Sequence, residues 1–230
     1  MFNPNPRIET LPITGQHACH VIDDVLLDPD ALVALATRER ARFSPSQKNA
    51  YPGIELRMPD ALSERLDGFF RAHVRARLGA RRTLYMYSRL SLVTLPPSAL
   101  RPWQCICHRD RLLTSPEQVA LASVLYLFRD PTLGGTSFYV ARRGPQETAE
   151  LLADSARLPM AEFTRRHGVP QAYLTGSNDW FERVLQVPAR WNRMIFYDGG
   201  LFHSGDISSP ERLSADPRRG RLSLNGFFTC

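Results

Sequence analysis

The sequence predicts a mainly β fold with flanking helices, arranged as a double-stranded β-helix of the jelly-roll type. Short segments rich in β-branched and aromatic residues recur from residue 83 onward, and turn residues bound most of them. Two longer segments before residue 83 carry apolar residues at spacings of three and four, which predicts amphipathic helices. Such helices bury their apolar face against a sheet, so we expect two β layers with helices packed outside.

The N-terminal third is predicted to contain one strand and two helices. Residues 20–27 have the composition of a strand. Residues 29–42 follow as a helix, for which Asp28 is the candidate N-cap. A second helix is predicted over residues 60–78, where the apolar residues share one face. These elements are expected to support the β-rich part of the chain from outside.

The core strands are predicted between residue 83 and the end of the sequence. They are residues 83–95, 103–110, 119–128, 136–141, 183–187, 193–202 and 221–229. Residues 144–180 interrupt this series with a helical or irregular pattern, so we interpret them as an insertion. Because no repeat or Gly/Ser-rich linker divides the chain, we predict one domain over residues 1–230, with support in residues 1–82 and the jelly-roll core in residues 83–230.

Composition excludes several classes of protein. Hydrophobic residues make up 43% of the chain and charged residues 23%, which is typical of a globular protein and not of a disordered or fibrous one. Residues 1–12 lack the apolar run of a secretory signal, and no later stretch is long and apolar enough to span a bilayer. Four cysteines are too few for a disulfide framework. We therefore expect a cytoplasmic protein with reduced thiols and no membrane partner.

The net charge of +6 raises the question of an acidic partner. Lys48 is the one lysine, and the arginines are scattered from Arg7 to Arg221 without a block of five or six. This scatter disfavours a nucleic-acid partner, because phosphate backbones are bound by clustered cations. A small-molecule or peptidyl substrate is the expected partner, and the sequence leaves the oligomeric state open.

A metal-ligating pattern lies near the middle of the chain. His108 and Asp110 are two residues apart at the end of a predicted strand, so their side chains point to the same face. His203 lies at the end of a later predicted strand and supplies a third ligand. Two imidazoles and one carboxylate form a facial triad, which leaves three positions of an octahedral iron(II) open for a bidentate oxoacid and dioxygen. The pattern predicts a metal site at these three residues.

A candidate anchor for the oxoacid follows in the last predicted strand. The remote carboxylate of 2-oxoglutarate needs a charge-assisted partner when it is buried. Arg221 opens the strand, and Ser223 shares its face two residues later, so we predict that these residues bind the carboxylate together. The preceding loop also carries Arg212, Arg218 and Arg219, which remain rival anchors.

Taken in order, His108-x-Asp110, a Gly-Gly turn after a strand, a distal His203 and Arg221-x-Ser223 resemble the 2-oxoglutarate oxygenase superfamily. The resemblance implies iron(II), 2-oxoglutarate and dioxygen as cofactor and cosubstrates. It also implies hydroxylation of a substrate C–H bond with release of succinate and carbon dioxide. One departure is the spacing from His203 to Arg221, which is longer than is common in the superfamily.

The prolyl 4-hydroxylase-like branch is the most similar part of that superfamily. Residues 123–128 followed by residues 134–138 resemble its strand and Gly-Gly-Thr hairpin. Residues 194–197 lead to the distal histidine in the same way, and the ordered match covers residues 84–229. By this resemblance Tyr126 is a candidate to hydrogen-bond the cosubstrate, although strand aromatics are first of all packing residues.

Alternative interpretations of the same residues remain. Cys105 and Cys107 next to His108 could belong to a zinc site, but strand alternation directs both thiols away from the face that carries the histidine. The His/Asp/His set could bind zinc in a cupin-like hydrolase or isomerase, which would not need Arg221. A non-catalytic binding module is the third alternative.

Substrate identity is left open by the sequence. An amino acid, a peptidyl side chain, a small metabolite or a nucleobase is compatible with the predicted site, and the first two are favoured. We expect residues 44–58 and 142–180, predicted to be variable loops, to select among substrates. A nucleic-acid dealkylase is disfavoured because the strand that begins at Arg221 lacks that branch's second arginine.

Overall fold

Two antiparallel sheets and four helices make up the computed structural model, which describes residues 1–45, 51–110 and 117–230. The strands are β1 (Ile8–Thr14), β2 (His17–Ile22), β3 (Ser44–Pro45), β4 (Gly53–Arg57), β5 (Tyr85–Val93), β6 (Ala120–Tyr126), β7 (Thr136–Ala141), β8 (Phe181–Val187), β9 (Met194–Asp198), β10 (Phe202–Gly205) and β11 (Arg221–Thr229). The helices are α1 (Asp30–Arg38), α2 (Asp60–His73), α3 (Pro145–Arg157) and α4 (Met160–His167). The predicted fold class, mainly β with flanking helices, is confirmed.

The larger sheet has eight strands in the order β1-β2-β9-β6-β11-β5-β4-β3, and the smaller has three in the order β10-β7-β8. Strand β11 lies inside the large sheet, where it pairs with β5 along its whole length and with β6 from Ser223 onward. A one-residue slip would turn its buried side chains to the opposite face. Pairing on both sides therefore fixes which residues of β11 face the small sheet.

The large sheet buries its two faces differently. Leu222, Leu224 and Phe228 of β11 point to one face, where they join an apolar cluster with Leu66 and Phe70 of α2. The alternate residues of β11 point to the opposite face, and they are polar or aromatic. Helices therefore cover one side of this sheet, and the other side is available for a site.

A second apolar cluster joins the two sheets. Ile13, Ala122 and Ile195 of the large sheet belong to it together with Phe138 and Val187 of the small sheet. All five are at least nine-tenths buried. The sheets are therefore packed against each other at this end, as expected for a jelly roll.

Helices α3 and α4 occupy the segment that we interpreted as an insertion. Leu151 of α3 and Phe163 of α4 are fully buried and share a cluster with Phe181 and Phe202 of the small sheet. His167, which ends α4, lies 2.9 Å from Asp154 of α3 through its Nε2 atom. The two helices are thus tied to each other and cover the small sheet.

The N-terminal third contributes more β structure than the sequence predicted. Strand β1 was not predicted, and β4 lies within the segment 44–58 that we predicted as a substrate-selecting loop. Residues 46–50 of that segment lie outside the described residues. Both strands pair into the large sheet, so the first 82 residues form part of the β layer and do not only support it.

Within the described ranges, none of the helices combines the length and the apolar character needed to cross a bilayer.

Candidate metal centre

His108, Asp110 and His203 lie together, and one ligand atom from each is within 4.8 Å of the other two. His203 Nε2 is 3.4 Å from Asp110 Oδ2, and His108 Nε2 is 3.8 Å from Asp110 Oδ1. Adjacent ligands of an octahedral ion with bonds of about 2.1 Å are about 3 Å apart. A small contraction would therefore allow these three side chains to bind one divalent ion.

His108 and Asp110 do not lie in a strand, so the strand predicted over residues 103–110 is wrong. Pro102 begins a 3₁₀ helix that ends at Gln104. Residues 105–107 are then all buried, whereas a strand with one solvent-facing side would alternate. Three consecutive buried side chains are inconsistent with the alternation of a strand. The prediction that His108 and Asp110 point to one face because they are two residues apart in a strand therefore does not hold.

Backbone hydrogen bonds to other elements hold the two residues in place. The His108 N–H donates to His203 O at 3.0 Å, and the His203 N–H donates to His108 O at 2.9 Å. The Asp110 N–H donates to Gly199 O at 2.8 Å. A Cβ atom at position 199 would lie 3.0 Å from Asp110 Cβ, so glycine allows this close approach. The triad is thus assembled by pairing across the fold.

The strand predicted over residues 193–202 is two strands in different sheets. Strand β9 ends in the large sheet at Asp198, and β10 begins in the small sheet at Phe202. Asp198 closes the intervening turn, because its Oδ1 atom accepts from the Gly200 N–H at 2.8 Å and its carbonyl accepts from the Leu201 N–H at 3.1 Å. This crossing carries His203 to the sheet that faces β11.

The orientation of His203 suits a metal ligand. Its Nδ1 atom is 2.9 Å from the Leu201 carbonyl oxygen, to which it donates in the neutral form. That bond leaves the Nε2 lone pair directed toward Asp110, as in many histidine metal ligands. The Tyr197 ring packs edge-on against the imidazole, with centroids 4.8 Å apart. The side chain is thereby held in one orientation before any ion binds.

Burial and mutual charge set the protonation of the three groups. Desolvation, with help from His203, lowers the pKa of His108 to about 4, so this imidazole is neutral and able to ligate at neutral pH. Burial also opposes charge on the other two residues, but their attraction and hydrogen bond outweigh it. The pKa of His203 is consequently raised and that of Asp110 lowered. A metal ion bound here would replace the His203 proton.

Cys105 and Cys107 do not join this cluster. Both lie in the apolar cluster that contains Phe202, and burial raises the pKa of Cys105 to about 11 and that of Cys107 well above its usual range. Neutral thiols are poor metal ligands. Among the described residues, His108, Asp110 and His203 form the one group of three or more histidine, cysteine or acidic side chains whose geometry could hold a metal ion. The structure therefore gives the zinc-cysteine alternative no support.

A cavity of about 610 Å³ lies between the sheets and includes the three candidate ligands in its wall. The residues that β11 contributes are Arg221, Ser223, Asn225 and Phe227, which alternate along the strand. This size falls in the usual range of small-molecule sites. The walls of one cavity thus include both the triad and the predicted oxoacid anchor.

Arg221 is held rigidly at one end of the cavity. Its Nε atom donates to the carbonyls of Leu133 at 3.0 Å and Gly134 at 3.2 Å, and its Nη2 atom donates to Gly135 O at 2.7 Å. The residue is only 4% exposed. No carboxylate of the described chain lies within ion-pair distance of the guanidinium. A buried cation that has only neutral partners favours the binding of an anion beside it.

Ser223 lines the same part of the cavity, but Tyr126 does not. Tyr126 pairs with Ser223 across the sheet, is fully buried and donates its hydroxyl proton to Thr136 Oγ1 at 2.8 Å. Thr136 is in the cavity wall. The structure therefore places the tyrosine behind that wall, where it links the two sheets. A direct contact between Tyr126 and a cosubstrate has no support from this geometry.

The rival arginines lie elsewhere. Arg212 is exposed and pairs with Asp130, with 2.7 Å between Nη2 and Oδ2. Arg218 and Arg219 are exposed in the loop before β11, and none of the three lines the cavity. Among the four candidates, Arg221 alone combines burial with a place in the cavity wall.

Several wall residues were not singled out from the sequence. Asn225 and Phe227 continue the alternation that begins at Arg221, so strand periodicity could have identified them. Arg57 and Arg89 enter from β4 and β5, and no motif distinguishes them from the many other arginines of the chain. Tertiary pairing of the strands, and not local sequence, brings them to the site.

Comparison with known proteins shows the family. Residues 4–228 match a family of unknown function, DUF6445, and the chain belongs to that family. No curated protein matches the chain.

Three solved structures illustrate what the chain is similar to. A prolyl-4-hydroxylase of Pseudomonas putida is 18% identical, with 92% of each chain covered and a TM-score of 0.45. The non-heme alpha ketoglutarate dependent epimerase SnoN from nogalamycin biosynthesis is 15% identical, with 93% of this chain and 78% of that one covered and a TM-score of 0.49. HygX from Streptomyces hygroscopicus, solved with nickel and 2-oxoglutarate, is 13% identical, with coverage of 92% and 81% and a TM-score of 0.49. Since these TM-scores are below 0.5, the case for the site depends on this chain's own residues.

Proposed function

We propose that the protein is an iron(II)- and 2-oxoglutarate-dependent oxygenase that hydroxylates an amino acid, a peptide or a small metabolite. The observation that carries the proposal is one cavity that combines the His108, Asp110 and His203 cluster with the buried Arg221. A metal site alone would suit a hydrolase equally well. The buried arginine without a carboxylate partner among the described residues distinguishes an oxygenase, because 2-oxoglutarate brings a second carboxylate that needs such a partner.

The donor set fits iron(II). Two imidazole nitrogens and one carboxylate oxygen are the ligands of the facial triad in non-heme iron oxygenases, and they leave three sites open. His108 and Asp110 reach the ion from the segment after the 3₁₀ helix, and His203 reaches it from β10. The Leu201 carbonyl holds His203 in the tautomer that ligates through Nε2.

The anchor fits 2-oxoglutarate. Three backbone carbonyls hold the Arg221 guanidinium in place, so little side-chain entropy remains to be lost when a carboxylate binds. Ser223 lies two residues along the same face and offers a hydroxyl donor. The adjacent Thr136 is held by Tyr126 and completes a polar end of the cavity.

Iron(II), 2-oxoglutarate and dioxygen, when bound, would supply the oxidation of a substrate C–H bond with release of succinate and carbon dioxide. The chain's own residues bind and orient these components. Asp110 stays ionised because His203 and His108 lower its pKa against the effect of burial, and it contributes the negative charge that a cation needs. The cavity wall then selects which C–H bond approaches the ion.

The finer assignments are part of the same proposal. We place the protein in the prolyl 4-hydroxylase-like branch on its Gly-Gly hairpin, residues 134–138, and on the order of its site residues. We expect a cytoplasmic enzyme that acts on a small-molecule or peptidyl substrate and has neither a nucleic-acid nor a membrane partner.

Anaerobic titration of the iron(II)-loaded protein with 2-oxoglutarate tests the proposal. Binding of the cosubstrate to iron(II) gives a weak visible absorption band, which should appear with wild type and be absent from His108→Ala. His73→Ala is the matched control, because His73 ends α2 outside the cavity, and it should keep the band. If folded, iron-bound wild type gives no band, the oxygenase assignment fails and a cupin-like hydrolase or a binding module becomes the better hypothesis.

A further inference from the structure

A chain of hydrogen bonds orients Asn225 on the cavity face of β11. Asn225 Nδ2 donates to Ser91 Oγ at 3.0 Å, and Ser91 Oγ donates to Glu55 Oε1 at 3.4 Å. An ionised carboxylate can only accept, so the Ser91 hydroxyl must donate to Glu55 and accept from the amide nitrogen. The carbonyl oxygen of Asn225 is therefore on the opposite side of the amide, away from Ser91.

That oxygen, Asn225 Oδ1, is buried and has no hydrogen-bond partner among the residues that the structure describes. Asn225 is 7% exposed and lines the cavity. Buried acceptors in native proteins are nearly always satisfied, by protein, by ordered water or by a ligand. The atom thus has the capacity to accept a hydrogen bond from an N–H or O–H donor inside the cavity.

Asn225 belongs to a row that crosses three strands. It pairs in register with Arg89 of β5, and Arg89 pairs with Arg57 of β4. Adjacent strands are about 4.8 Å apart, so the backbones of Asn225 and Arg57 are roughly 10 Å apart. All three side chains line the cavity. We call Arg57, Arg89 and Asn225 the recognition row.

The two arginines of the recognition row differ in charge balance. Arg89 is neutralised by Glu55, with 2.9 Å between Nε and Oε1. The Arg57 guanidinium lies over the Tyr87 ring at 5.1 Å and donates from Nη2 to Tyr85 Oη at 3.2 Å. Within the described ranges, no carboxylate is within ion-pair distance of Arg57. It is therefore a positioned cation at the exposed end of the row, with donors left for an anion.

The recognition row and the candidate metal centre line the same cavity. Phe227, two residues beyond Asn225, pairs with Ala122, and Ala122 pairs with Tyr197 of β9. The Tyr197 ring packs against His203, as described above. A molecule bound along the row would thus share the cavity with the triad, whereas Arg221 and Ser223 line the same face of β11 nearer its start.

We propose that the recognition row is the substrate subsite, and that it takes an amino acid or a short peptide whose carboxylate binds Arg57 and whose N–H donates to Asn225 Oδ1. The inference rests on the proposed function for the reaction that follows, but binding itself requires only the row. Arg57 is at the exposed end and Asn225 is buried, so the ligand enters with its N–H end leading and leaves its carboxylate at the mouth.

Binding of a defined panel to the metal-free protein tests this subsite without turnover. The panel contains the standard L-amino acids, their N-acetyl forms and the glycyl dipeptides, each as the free acid and as the methyl ester. Binding is measured by saturation-transfer NMR. At least one acid should bind, and its ester should bind about tenfold more weakly or worse, because the charge-assisted bond to Arg57 is lost. If no acid binds, or if esters bind as well as acids, the proposal is wrong.

Site-directed variants test which residues bind the acid. Arg57→Gln and Asn225→Leu should each weaken binding of the tightest-binding acid by about tenfold. Ser91→Ala removes the hydrogen bond that orients the Asn225 amide, and it should weaken binding of the acid by a smaller factor. This variant replaces Asn225→Leu if the latter fails to fold. Arg142→Gln, an exposed arginine outside the cavity, is the matched control and should leave affinity unchanged. Unchanged affinity in Arg57→Gln, or in both Asn225→Leu and Ser91→Ala, would overturn the assignment.

The same titrations with zinc(II) and 2-oxoglutarate present separate this inference from the proposed function. Carboxylate-dependent binding of the panel to protein that does not bind 2-oxoglutarate would retain the subsite and reject the oxygenase. Protein that binds zinc(II) and 2-oxoglutarate but none of the panel would retain the oxygenase and reject the subsite.

Discussion

Two stretches of chain supply the candidate site, and they are built in opposite ways. Strand β11, Arg221–Thr229, is buried along its whole length and is hydrogen-bonded on both sides. The segment 102–110 begins as a 3₁₀ helix and has a single β-bridge, between His108 and His203. Side-chain direction in the strand follows from its own periodicity, whereas in the segment it is imposed by neighbours. The strand should therefore tolerate change poorly at its contacts, and the segment should tolerate change that spares its bridge.

Gly134→Ala should have the largest effect on stability, because Gly134 lies in the turn that contacts Arg221 at the start of β11. Gly134 has a φ of +80°, and a Cβ atom there would overlap the Asp206 carbonyl oxygen. The turn also provides carbonyls that hold Arg221. We expect a loss of about 3 kcal/mol or more in the free energy of unfolding, measured by urea denaturation.

Gly168→Ala is the matched control for that loss. Gly168 also has a positive φ, +69°, but no atom lies within 4 Å of the position of its added Cβ. Its substitution should cost only about 1 kcal/mol, the strain of the backbone alone. Equal losses at the two glycines would show that the close approach to Asp206 is unimportant.

Arg221→Ala should have the next largest effect, on binding of 2-oxoglutarate. Removing a charge-assisted partner for the remote carboxylate should weaken affinity by roughly 10- to 100-fold, while affinity for the metal is kept. Calorimetric titration of the metal-free protein with zinc(II), and then of the zinc(II)-loaded protein with 2-oxoglutarate, measures the two affinities. Arg212→Ala, on an exposed arginine that pairs with Asp130, should leave both affinities unchanged. An Arg221→Ala variant with wild-type affinity would assign the anchor to another residue.

Pro102→Ala should have the smallest effect, and it tests whether the 3₁₀ helix that begins the segment 102–110 positions the ligands. If the bridge to His203 positions His108, the rigidity contributed by Pro102 adds little. We expect a change below about 1 kcal/mol in stability and no change in metal affinity. A tenfold fall in metal affinity would instead show that the 3₁₀ helix itself positions the ligands.

The regular part of the fold was predictable because periodicity and burial agree there. Strands β7 and β11 have the predicted bounds, 136–141 and 221–229. Strand β1 was missed because its sequence, with Pro12 and several polar residues, has no clear apolar alternation. Strand β4 has only five residues, which is too short for a pattern to be distinguished from a loop.

The residues of the triad were predictable, but their backbone was not. The side-chain chemistry of His108, Asp110 and His203 indicates a candidate metal site whatever the local conformation. Their approach depends on the crossing at Gly199 and on bonds between segments distant in sequence. Tyr126 pairs with Ser223 across the large sheet, and its hydroxyl donates to Thr136 of the facing sheet. Pairing between sheets is not encoded in the periodicity of either strand.

The crossing at Gly199 and Gly200 links the sheets mechanically. It leaves the large sheet after Asp198 and enters the small sheet at Phe202, and its backbone binds Asp110 on the way. An ion bound by both Asp110 and His203 would cross-link the segment that carries Asp110 to the small sheet, next to this crossing. A ligand bulky enough to push the sheets apart would then have to stretch the coordination sphere. Under the proposed function, selection of substrate by size and retention of the metal would therefore depend on the same crossing.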